Sequence, residues 1–185
     1  PAAVGRQLGN SVAQSFDADV TALFQTFTGL TAVTGSGTSS ALTVNDMIDA
    51  AQTLRANEVM GQLYCVLHPY QVANILKDIN TAAFAGSEAQ NNAMRSGFVG
   101  MLNGIAIYQS AFVTEDIAGA DHLWEGLVFG EDAMRIGVQR QVDLEVARRA
   151  EAVGFDLVAS LHAGVGVVDQ TRGIQIKSTG AVVET

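Results

Sequence analysis

The hydrophobic and polar positions of this chain follow two periods, a helical one near its start and an alternating one in its last third. Leu8, Val12, Phe16, Val20, Leu23, Phe27 and Leu30 are spaced 4, 4, 4, 3, 4 and 3 residues apart. That matches the roughly 3.6-residue repeat of one helix face. It predicts a long helix over residues 7–28, about 33 Å in length, with Gln7, Asn10, Gln14 and Gln25 opposite and Gly29 as its C-cap. Residues 31–42, TAVTGSGTSSAL, read as a flexible connector. Thr43 then looks like an N-cap with Asp46 three residues on, a loose capping box, and Val44, Met47, Ile48, Ala51 and Leu54 predict a helix over 44–57.

Gly61 breaks that pattern, and the apolar run Leu63 to Leu67 predicts a buried strand. The run ends in His68-Pro69. Proline suits the first position of a helix, because its fixed φ fits and its missing N–H is not needed there. A helix therefore starts at Pro69 and buries Val72, Ile75, Leu76 and Ile79, with His68 at or next to its N-cap. Residues 80–97 are small and polar and read as a surface loop or short helix. Asn103-Gly104 between apolar flanks predicts a tight hairpin with a type I′ turn. LWEGLVF is a short strand burying Trp124, Leu127 or Phe129.

The last third alternates. Ile136, Val138, Val142, Leu144 and Val146 interleave with Arg135, Gly137, Gln141, Asp143 and Glu145, and only Arg140 breaks the rhythm. This predicts a half-buried strand about 40 Å long. ARRAEA makes a turn, and Val153, Phe155, Leu157, Ala159 and Leu161 alternate again. The two segments form a long antiparallel ribbon with an Arg-rich tip. VGVVD and GIQIKS close the chain as two short strands. The fold class is α+β.

Charge narrows the function. The net charge is −9 and Lys77 and Lys177 are the only lysines, so the clustered cations that bind a nucleic-acid backbone tightly are missing. Cys65 is the single cysteine and lies in an apolar run, which predicts a core residue. No apolar stretch reaches the length of a membrane span. The chain begins at Pro1 without Met, so it is expected to be processed, truncated or part of a longer protein.

Candidate chemistry is sparse. His68, His122 and His162 fit no zinc spacing. Asp17 and Asp19 read as a solvated helix face, and Glu115-Asp116 and Glu131-Asp132 as loop charge. GSGTSS lacks the residues that complete a Walker or Rossmann loop. His68 has no nearby Ser, Cys or carboxylate spaced for a triad. No catalytic, cofactor-binding or metal-ligating residue is assigned, and no cofactor.

The order of elements resembles the major capsid proteins of tailed bacteriophages, the Hong Kong 97-like fold. The likeness is carried by RQLGNSVAQSFDADVTALF, by LTVNDMIDAAQTLRAN with LYCVLHPYQVANILKD, by GFVGMLNGIAIYQS, and by LVFGEDAMRIGVQRQVDLEVAR leading to HAGVGVVDQTRGIQIKS. The resemblance implies a peripheral domain of a long spine helix and a long β-ribbon, residues 1–40 and 133–163, and a compact α/β axial domain, residues 41–132 and 164–185. It implies a structural protein, not an enzyme, that self-assembles into hexamers and pentamers of an icosahedral head enclosing double-stranded DNA without tight sequence-specific binding. Scaffolding, portal and decoration proteins would be further partners. The protein would reside in the virion, assembled in the host cytoplasm and without a membrane partner. The family's N-terminal arm and extended loop are not visible here, and neither Lys77 nor Lys177 matches a cross-linking lysine. An encapsulin-type nanocompartment shell shares the fold. A small α+β enzyme or ligand-binding domain using GSGTSS and His68 is the reading from a different class.

Overall fold

The computed structural model describes residues 2–36, 40–81, 98–116, 123–149 and 154–180. Helix α1 spans Ala2–Ala22 and tightens into a 3-10 turn at Leu23–Thr26. It begins and ends earlier than the periodicity predicts. Tertiary contacts hold the end: the Thr21 hydroxyl lies 2.7 Å from the distant Phe112 O as donor, with Ala18 O of the helix itself as the alternative acceptor at 3.1 Å, and Phe24 and Phe27 are buried beyond the helix. Gly29 is therefore not a helix cap. It sits where a Cβ would come within 2.8 Å of the Gln170 carbonyl oxygen.

Strand β1 (Val33–Thr34) emerges from the segment expected to be a plain connector. Helix α2 spans Val44–Ala56, with Thr43 as N-cap and the reciprocal Thr43–Asp46 capping box in place. Strand β2 (Leu63–Leu67) leads into helix α3 (Pro69–Thr81), which starts at the proline as expected. Residues 82–97, most of the predicted polar loop, lie outside the described residues. Strands β3 (Phe98–Leu102) and β4 (Ile105–Gln109) form the hairpin, with Asn103 and Gly104 at φ 48° and 78°, the left-handed pair a type I′ turn requires. Strands β5 (Glu115–Asp116), β6 (Leu123–Gly130), β7 (Met134–Arg149), β8 (Gly154–Val167) and β9 (Gly173–Thr179) complete the chain. The predicted strand VGVVD is no separate element, because β8 continues through Val167.

Seven strands make one mixed sheet in the order β1-β9-β6-β2-β4-β3, with β5 paired to β6. Adjacent residues of β6 point to opposite faces, and both faces are buried. On one, Val128 joins Cys65, Ile107, Ile174 and Ile176 beneath Met47, Ala51 and Leu54 of α2 and Val72 and Ile75 of α3. On the other, Leu127 joins Phe24, Phe27, Val113 and Ala133. Of the three candidates for burial in β6, only Leu127 is fully enclosed; Trp124 and Phe129 are half-buried.

Among the described residues, strands β7 and β8 pair only with each other. Directly opposed residues share a face, so the register gives one face Ile136 with Val165, Val138 with Ala163, Leu144 with Ala159 and Val146 with Leu157. The opposite face carries Arg135, Glu145, His162, Ser160 and Asp156. The register shifts on either side of Arg140, between Val138 and Asp143. Two extra residues in β7 flip its alternation and then restore it. Arg140, out of phase in the sequence, thus lies opposite His162 on the polar face, ion-paired to Asp143.

Gly126 lies where β6 passes under α3. A Cβ there would come within 2.6 Å of Leu67 Cδ2 and 2.9 Å of Val66 O. Gly126→Ala is expected to overpack this crossing and lower stability by about 1–3 kcal/mol. Chemical denaturation followed by circular dichroism would read the change.

Candidate assembly surface

The apolar ribbon face is only partly covered. Val12, Ser15, Phe16 and Asp19 of α1 lie against Leu161 and Ala163 of β8. Along β8 the apolar-face positions are accordingly half-buried, apart from Phe155 at the far end. Along β7, Ile136, Val138, Val142, Leu144 and Val146 are each more than half exposed. The expectation of a half-buried β7 does not hold for the single chain: one helix is too narrow to cover both strands. The strip is contiguous and apolar, and β7 has a free edge whose backbone groups have no strand partner among the described residues. Monomeric soluble proteins rarely expose such a strip, which marks an interaction site.

At the root of the ribbon a second feature opens. Val20, Leu23, Phe129, Met134, Ile136 and Val165 line an apolar cavity of about 230 Å³, with Arg135 at its margin. The turn Glu131–Asp132 joins the two strands, β6 and β7, that wall it.

His68, Asp46, Cys65 and Lys177 are held in internal contacts. His68 is buried and stacks on Trp124, with ring centroids 3.6 Å apart and planes within 6°. Its Nδ1 accepts from the Tyr70 N–H at 3.3 Å, so the ring both caps α3 and packs at the strand-to-helix corner. The His68 N–H donates to Gln71 Oε1, and Gln71 Nε2 donates to Trp124 O and Ser178 Oγ, each at 2.8 Å. Gln71 is fully buried and ties α3 to β6 and β9; sequence reasoning passed over it because a lone glutamine carries no pattern. Burial lowers the His68 pKa, opposed by the nearby Glu115 carboxylate.

Around GSGTSS, residues 37–39 lie outside the described residues. The Ser36 and Thr43 N–H groups both donate to Asp46 Oδ2, at 3.0 and 2.8 Å. Donors that would cradle a phosphate are thus taken by the chain's own carboxylate. Burial pushes Asp46 up, but the hydrogen bonds from Ser36 and Thr43 outweigh it and hold the carboxyl below its usual value. Cys65 is fully enclosed, and burial pushes its thiol far up, away from the reactive thiolate.

Lys177 Nζ lies 2.6 Å from Glu125 Oε1 and 3.5 Å from Asp116 Oδ2. The hydrogen bond to Glu125 raises the Lys177 pKa, so its amine stays an ammonium and is no nucleophile at neutral pH. Among the described residues no group of His, Cys, Asp and Glu is placed to hold a metal ion, and no helix is long and apolar enough to cross a membrane. His122 lies outside the described residues; Asp17 is exposed on α1, and Glu131 and Asp132 are exposed in their turn.

Replacing Gln71 by Leu removes the partners of a buried N–H, a carbonyl and a hydroxyl, and is expected to cost about 1–3 kcal/mol on thermal unfolding. His68 adds a pH dependence. Its folded pKa is lowered, so the unfolded chain binds the extra proton first as pH falls below about 6.5. The stability present above that value is lost as pH drops through the folded pKa. His68→Asn keeps a capping acceptor and removes the titration, so its melting temperature is expected to fall less than wild type between pH 7 and pH 5.

A search of curated proteins returned no match. A family model described as phage capsid protein matches residues 2–176. Among solved structures, the chain is similar to one of Mycobacterium phage Che8 at 19% identity and a TM-score of 0.69, covering 94% of this chain and 62% of that one. It is similar to the capsid structure of cyanophage P-SCSP1u at 18% identity and a TM-score of 0.66, covering 97% and 66%. The SrpI encapsulin complex of Synechococcus elongatus matches at 12% identity and a TM-score of 0.59, covering 84% and 55%. At these identities the likeness is one of fold, and the chain spans about two thirds or less of each relative's length. The family match runs along nearly the whole sequence, over a fold shared with viral heads and a surface left for neighbours, and the chain belongs to the phage capsid protein family.

Proposed function

We propose that this chain is the shell-building part of a tailed-phage major capsid protein, assembling into hexamers and pentamers of an icosahedral head around double-stranded DNA. The observation that carries the reading is the uncovered apolar strip of β7, Ile136 to Val146. An interaction surface of this kind is completed by another polypeptide. The architecture is Hong Kong 97-like. Helix α1 is the spine and the β7–β8 ribbon its companion in a peripheral part, residues 1–40 and 133–163. The seven-stranded sheet with α2 and α3 forms an axial part, residues 41–132 and 164–185. The packing of α1 on β8 and the separate core under α2 and α3 support that division. The short β1 strand crosses it, pairing with β9.

The role is structural, with no chemistry at any of the weighed residues. The acidic balance suits a container wall that does not bind its DNA tightly. Scaffolding, portal and decoration proteins would join it in a virion formed in the host cytoplasm. The encapsulin match shows the fold also serves a nanocompartment, but the family match favours the virus.

Substituting Val138 and Leu144 by Asp charges the strip without touching either core. Asp is a poor strand former and the two side chains are nearly half covered, so a loss of about 1–2 kcal/mol is expected. The double variant is expected to melt cooperatively a few degrees below wild type and, still folded at the assembly temperature, to lose shells or capsomer rings in negative-stain micrographs. Normal particles from it would remove the strip from the assembly surface.

A further inference from the structure

The cavity at the ribbon root and the side chains at the ribbon tip are complementary. Phe155 is 71% exposed at the far end of β8. Directly opposite it on β7 is Arg148, which has no ion-pair partner among the described residues. The tip therefore presents an aromatic ring beside a cation. The root presents an apolar cavity beside the turn carrying Glu131, exposed and likewise unpaired among the described residues. Its volume of about 230 Å³ exceeds the ~150 Å³ that suffices for a benzene ring in a dry apolar cavity.

We propose that Phe155 of one copy enters the cavity lined by Val20, Leu23, Phe129, Met134, Ile136 and Val165 of a second copy, with Arg148 against Glu131. The inference rests on the capsid reading and adds the contact by which one subunit holds the next. A chain cannot fill its own cavity this way. From Val165 at the cavity to Phe155 at the tip is ten residues of strand, about 33 Å. Tip and root are different surfaces, so a contact that runs one way from copy to copy is heterologous and generates a ring if the rotation closes, whereas a reciprocal pair would stop at the dimer. The aromatic anchor supplies the burial, and the charge pair at the rim fixes orientation.

Cysteine trapping tests this in the full chain. Cys65 is buried and does not compete. Under assembly conditions with mild oxidation, the double variant Arg148→Cys with Glu131→Cys, which keeps Phe155 and the cavity lining, is expected to give a ladder of disulfide-linked multimers on a non-reducing gel. Either single variant gives none. Phe155→Ala added to the pair is expected to cut ladder yield about tenfold or more, because the anchor is lost. If wild-type chains form shells but the double variant gives no more ladder than the singles, this contact is wrong and the capsid reading stands. If wild-type chains remain monomers under every assembly condition, both fall.

Discussion

A two-stranded ribbon with one apolar face has to be covered, and this chain has one helix with which to do it. α1 lies over the β8 half and stops there, leaving five aliphatic side chains of β7 in water. Fully burying a Val, Leu or Ile is worth about 1.5–3 kcal/mol. These side chains are already nearly half covered, so covering the rest of the strip would contribute about 4–8 kcal/mol to association. The loss of translational and rotational freedom alone is estimated at about 4–15 kcal/mol. A single strip contact is therefore marginal, and stability has to come from many such contacts closing on one another. This favours an association of many mutual contacts over a simple dimer.

The internal architecture keeps that association separate from folding. The seven-stranded sheet is buried on both faces along its central strand β6. The α2–α3 layer fills one side, while Phe24, Phe27 and Ala133 fill the other, where the ribbon leaves the sheet. Gln71 fixes α3 to β6 and β9 through fully satisfied buried hydrogen bonds, and Glu125 with Lys177 fixes the neighbouring strands. The ribbon is thus rooted in a body that does not need its outer half. A surface built this way can tolerate changes that abolish contact with neighbours while the body stays folded.

Local chemistry made much of this legible in the sequence. Pro69 started a helix, Thr43 and Asp46 capped one, and Asn103-Gly104 turned a hairpin, because each depends on residues a few positions apart. The ribbon was legible from alternation. What escaped depends on distant partners. The end of α1 is decided by Phe112, ninety-one residues away from Thr21. β1 exists because β9 offers it an edge, which the composition of residues 31–42 does not announce. The polar corner at Gln71 unites residues from three elements, and neither Gln71 nor Ser178 is marked in isolation. Alternation also shows which face is apolar but not whether anything lies on it, so β7 was expected half-buried and stands exposed.

Arg140 shows how one local irregularity serves the larger purpose. In a regular strand its guanidinium would interrupt the apolar strip at its centre. A single bulge would move it to the polar face but invert everything beyond, turning Leu144 and Val146 away from Ile136 and Val138. Two bulges in succession place Arg140 beside Asp143 and opposite His162 on the polar side and return the strand to its original phase. Each bulge also adds right-handed twist. With the phase restored, the apolar face stays continuous from Ile136 to Val146, on the part of the ribbon that α1 does not cover.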